Sequence, residues 1–185
     1  MPPDIDLLAA NLVKAQSEFL RAADAIAPQD WKVRPGEGRW SAAELVAHLV
    51  AVEKAIIEKA DRVSQNRPRP MPLYKRFHLP MRLVESRLVR RKSPIPVDPA
   101  SLSSKEEMLA ELRQARERSL AFVEETRHRQ LGAYYWLHPA LGMLNTYTWI
   151  EFLAAHQNRH TKQIREIAES LPKPALPKAI ASLQK

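Results

Sequence analysis

Apolar residues recur at helical spacing in four stretches of the chain. The clearest runs from Trp149 to Leu171, where Trp149, Leu153, His156, His160, Ile164, Ile167 and Leu171 step by four, three, four, four, three and four. That is the stripe one helix face presents to a core. Ile5, Leu8, Leu12, Ala15, Phe19 and Ile26 predict a first helix from about Asp4; Asp4 and Asp6 favour its start and Pro28 ends it. A second opens at Trp40-Ser41 and carries Leu45, Leu49, Val52, Ile56, Ala60 and Val63 on one face, with Ser41 and Glu44 spaced as a capping box. A third starts at Ser103 or Ser104, each followed three residues later by Glu106 or Glu107. It shows Met108, Leu112, Ala115, Ser119 and Phe122 on one side as far as about Arg127.

The connections differ in kind. Pro35, Gly36 and Gly38 mark a loop between the first two helices. Residues 67–103 hold Pro68, Pro70, Pro72, Pro80, Pro94, Pro96 and Pro99, which break any long helix and leave room for one short amphipathic helix over 81–92. This crossover has too little regular structure for a core of its own and is expected to border the mouth of a site or a dimer surface. Before the fourth helix, the aromatic segment Tyr134-Tyr135-Trp136-Leu137 fits a short extended piece, and His138 precedes Pro139. Asn145, Thr146 and Thr148 offer caps, with Thr148–Glu151 as a box, and the helix ends before Pro172. Four amphipathic helices with a long proline-rich crossover between the second and third predict an all-α four-helix bundle. It forms one domain over residues 1–185, with its core at about 5–170 and a tail from 172 to 185.

Composition narrows the chemistry. With 185 residues the chain can bury a core without staples. It has no cysteine, so any metal is held by nitrogen and oxygen and any reacting thiol comes from a small molecule. No apolar run approaches a membrane span and the first residues do not form a signal peptide, which predicts a cytoplasmic protein without membrane partners. The net charge of +8 raises nucleic acid as a partner. The basic residues are nevertheless scattered, the densest group (Arg87–Lys92) falls in the crossover, and no aromatics interleave with them, so no nucleic-acid partner is expected.

Histidine carries the candidate chemistry. His156 and His160 lie at i, i+4 within an apolar seam, where each needs a hydrogen-bond partner or both converge on a metal. His48 falls on the apolar face of the second helix, between Leu45 and Val52, and in a bundle it could complete a three-nitrogen set with open positions for water or substrate. Glu44, one turn before His48, could orient that ring, although completing the capping box is the simpler role. His78 and His128 read as surface residues, His128 suiting a helix C-terminus. The pair is not the zinc-protease motif, because Gln157 stands where that motif has its glutamate base.

The segments GRWSAAELVAHLVAVE and HPALGMLNTYTWIEFLAAHQNRHTKQIREI, on this helical plan, resemble the DinB-like superfamily over about residues 5–170. The resemblance implies a four-helix bundle, often dimeric, whose divalent metal is bound by three histidines at the positions of His48, His156 and His160. The ion would be nickel, zinc, iron or manganese. Characterised relatives include metal-dependent thiol S-transferases and a thiol-dependent isomerase. The resemblance therefore implies a small-molecule substrate, a low-molecular-weight thiol as co-reactant and a homodimer. Metal-dependent hydrolysis and a non-catalytic metal-binding stress-response role are the alternatives. It assigns no catalytic residue beyond the ligands.

Overall fold

The computed structural model describes residues 3–68, 84 and 102–171. Within them lie four long helices: α1 (Ile5–Asp24), α2 (Ala42–Ser64), α3 (Lys105–Glu125) and α4 (Thr146–Ser170). A hairpin of β1 (Tyr135–His138) and β2 (Gly142–Asn145) precedes α4. The bundle is all-α apart from this hairpin. His78, most of the crossover with its expected helix over 81–92, and the tail from 172 lie outside the described residues.

Each helix begins where a side chain accepts an otherwise unpaired backbone N–H. Asp4 accepts from the Leu7 amide at 3.1 Å. Ser41 and Glu44 form the full capping box of α2. Of the two registers competing at α3, Ser104 with Glu107 forms the box. The expected Thr148–Glu151 box does not start α4: Asn145 accepts from the Thr148 amide at 3.0 Å, so Thr148 already lies in the first turn. The amide of Asn145 competes well at this position because its preceding strand delivers it in extended geometry.

The extended aromatic segment is present as β1, and its partner strand, Gly142–Asn145, was not anticipated. Gly142 takes φ of +90°, a value that favours glycine, and the His138 Nδ1 accepts the Ala140 and Leu141 amides at 3.0 and 3.1 Å. The hairpin is anchored on α4 by Trp136 stacked on Trp149, with centroids 4.9 Å apart and 10° between planes.

The largest packing surfaces join α1 to α4 and α2 to α3, with lesser contacts of α1 on α3 and α2 on α4. Helices α1 and α2 therefore lie diagonally across the bundle. The apolar interior is divided in two. One half, at the hairpin end, gathers Leu12, Ile56, Phe122, Leu144 and Ile150. The other gathers Phe19, Trp31, Leu45, Leu112 and Ile164. Between Leu112 and Phe122 on α3, and between Ala154 and Ile164 on α4, the buried positions include Arg116, Ser119, Gln157, His160 and Thr161. A polar layer thus crosses the middle of the bundle. No helix among the described residues is long and apolar enough to cross a membrane.

Candidate metal centre

The inward register of three histidines is realised. His48 from α2 meets His156 and His160 from α4, and one nitrogen of each lies within 4.8 Å of the other two. The Nε2 atoms of His48 and His156 are 3.3 Å apart, and those of His156 and His160 are 3.1 Å apart. The rings stand nearly edge-on to one another, with interplanar angles of 71°, 72° and 87°. This arrangement turns nitrogens rather than faces toward a common point. Nitrogens at about 2.0–2.1 Å from one ion would be about 3.3 Å apart in a tetrahedral shell and about 2.9 Å in an octahedral one. Both spacings to His156 fall in that interval, so the group suits a divalent ion.

His48 and His160 are buried and His156 is half-buried. Burial pulls the His48 imidazole down to about 4. Burial also takes His156 well below the ordinary histidine range, helped by the neighbouring His160, His48, Arg159 and His138. Neutral rings keep the lone pairs a metal needs. His160 Nδ1 lies 3.0 Å from Gln163 Oε1. An N–H there donates to the amide oxygen, which places the His160 proton on Nδ1 and turns the Nε2 lone pair to the centre.

Aromatic rings close the flanks. Trp40 sits 5.1 Å from the His48 ring. Phe152 stacks on His156 at 5.2 Å and 16°. His138 of the hairpin packs against Phe152 at 4.8 Å and Trp149 at 5.1 Å. It lies beside the cluster without belonging to it: among the described residues the potential ligand group is His48, His156 and His160.

Glu44 does not orient His48. Its carboxylate is taken by Ser41 and by Arg34, which donates from Nε at 2.9 Å and from Nη2, and these bonds outweigh burial to hold it below the usual carboxylate range. His128 is exposed beyond the end of α3, away from the cluster, as expected. Sequence reasoning missed Gln163, although its place three residues after His160 is a detectable signal. It also missed a buried ion pair. Arg116 Nη2 contacts Glu53 Oε2 at 3.1 Å and donates to Gln157 Oε1 at 2.7 Å, while Ser119 donates to Glu53 Oε1 at 2.6 Å. Leu49, Glu53 and Ile56 share helical spacing, so the inward place of Glu53 was readable. Its charge argued the other way.

Residues 11–164 match the model of the DinB superfamily. The uncharacterized protein YuaE of Bacillus subtilis (strain 168) is 27% identical over 163 residues, covering 85% of this chain and 95% of that protein. The same span contains all four helices in whole or in large part, the hairpin and the three converging histidines. The chain belongs to the DinB superfamily.

Proposed function

We propose that His48, His156 and His160 hold one divalent metal ion and that the protein is a metal-dependent enzyme of the thiol S-transferase type. The observation that carries this reading is the convergence of His48, His156 and His160, which form the potential ligand group among the described residues, with the Nε2 atoms of His48 and His160 each within 3.3 Å of that of His156. Three protein nitrogens leave coordination positions for small molecules. A divalent ion held by these three residues would supply Lewis acidity, which would lower the pKa of a bound thiol.

The chain's own residues have distinct parts. His48, His156 and His160 bind; Gln163 holds the His160 proton on Nδ1; Phe152 stacks on the His156 ring and Trp40 packs against that of His48. The net charge of +8 favours an anionic co-reactant. Because the chain has no cysteine, the thiol is supplied by a low-molecular-weight compound.

The test begins with metal analysis of protein purified without an affinity tag. Apo and reloaded protein are then screened with small thiols against a panel of electrophiles. About one equivalent of metal, with thiol consumption that requires it, is the expected result. Metal content unchanged by His156→Ala would overturn the site, and stoichiometric metal without thiol consumption would overturn the transferase reading in favour of hydrolysis or a non-catalytic role.

A further inference from the structure

The polar layer contains a charge pair that neither the helical pattern nor the histidine cluster requires. Arg116 is 1% exposed, Glu53 3% and Gln157 1%. A single guanidinium nitrogen, Nη2, makes both the Glu53 and the Gln157 contacts. The remaining Arg116 nitrogens and Gln157 Nε2 have no hydrogen-bond partner among the described residues. A buried pair satisfied so incompletely is a poor stabiliser, and apolar residues of similar volume commonly do as well or better. Burial opposes both charges, raising the Glu53 carboxyl and lowering the Arg116 guanidinium against each other's attraction.

Its placement indicates another role. All three imidazoles come from α2 and α4, while Arg116 comes from α3. Arg116 grips one residue on each ligand-bearing helix. Gln157 directly follows His156, and Glu53 stands five residues after His48, about 7.5 Å along the helix axis. The spacing of His156 and His160 is set within a single helix. The 3.3 Å between His48 and His156 is set only by how α2 sits against α4. Metal shells tolerate about 0.2 Å in ligand distance, so a slide of about one ångström between these helices would remove His48 from the set.

We infer that Arg116, through Glu53 and Gln157, is a positioning residue that sets α2 against α4 at the register where His48 completes the three-imidazole set. The inference rests on the metal reading above. Two variants test it. Glu53→Leu/Arg116→Met removes the pair without leaving a lone charge, and Gln157→Leu cuts only the tie to α4. Zinc affinity is measured by chelator competition, geometry by the absorption spectrum of the cobalt(II)-loaded protein, and fold by circular dichroism and melting of the apo protein.

Both variants should keep a helical, cooperatively melting apo state yet bind zinc about ten- to a hundred-fold more weakly, with an altered cobalt spectrum. In the double variant, adding His48→Ala should cost less zinc affinity than it costs the wild type, because His48 is already displaced. Wild-type affinity and spectrum in the double variant, with or without a lowered melting temperature, would overturn the inference and leave the pair merely structural. If the double variant does not fold, Gln157→Leu decides by the same readouts. Zinc binding that survives His156→Ala as a single substitution would instead show that the metal reading itself is wrong.

Discussion

At the scale of single residues, the histidine cluster makes separable demands. His160→Ala leaves at most two imidazoles and removes the ring that Gln163 holds. A ligand at a hundred times its dissociation constant stabilises the native state by about 2.7 kcal/mol, so metal-induced thermal stabilisation in the wild type should largely vanish in this variant. His128→Ala, outside the cluster, should retain it. Equal stabilisation of wild type and His160→Ala would remove that residue from the centre. Gln163→Leu keeps the ligand and loses only its orienting bond, and should weaken metal binding about ten- to a hundred-fold; calorimetry showing undiminished affinity would contradict this. Proton linkage gives an independent check on metal-stripped protein. His48 titrates at about 4 in the fold against 6.5 ordinarily, so as pH falls the unfolded chain takes up the proton first. The neutral ring's contribution is complete above pH 6.5 and is lost as pH falls toward 4, by on the order of 3 kcal/mol. Urea midpoints between pH 7.5 and 4 should therefore fall more steeply for wild type than for His48→Gln, and identical slopes would refute the buried neutral imidazole.

At the scale of elements, helix starts were largely readable because a cap is a bond between residues two or three apart. Ser41 and Glu44 satisfied that local rule, and so did Ser104 with Glu107. The start of α4 shifted because β2 carries Asn145 into the cap position, and β2 itself exists only by pairing with β1. Four residues of Gly-Met-Leu-Asn have no alternation or β-branching to announce a strand. Asn145→Ala should cost about 1 kcal/mol through the lost cap. Because α4 carries two of the three imidazoles, metal affinity is a second readout, and a variant with wild-type thermal stability would show that the Asn145 bond is not a working cap.

At the scale of the whole molecule, the polar layer divides the apolar interior into two clusters. Each helix contributes to both halves: Leu12 and Phe19 on α1, Ile56 and Leu45 on α2, Phe122 and Leu112 on α3, Ile150 and Ile164 on α4. Unzipping one half therefore exposes helices that the other half needs. Phe122→Ala in one half should cost about 3–5 kcal/mol and Leu45→Ala in the other about 2–5 kcal/mol. Each should lower a single cooperative transition seen alike by circular dichroism and tryptophan fluorescence. Two separated transitions in either variant would mean that the layers unfold independently.

By itself the sequence determined the four helices, most of their caps and the two inward stripes that carry His48 on one helix and His156 and His160 on another. Periodicity and capping are contacts between near neighbours in the chain, and their physics is complete within a few residues. Only the tertiary structure decided which helices adjoin and what crosses between them. The 3.3 Å approach of His48 to His156 spans 108 residues of sequence, and no local pattern fixes such a distance. Glu53 and Arg116 were charged residues in amphipathic helices, and charge ordinarily places a side chain in solvent. They lie inside because each meets its partner from another helix, and a charge's burial is decided by the partner that packing supplies rather than by the residue itself.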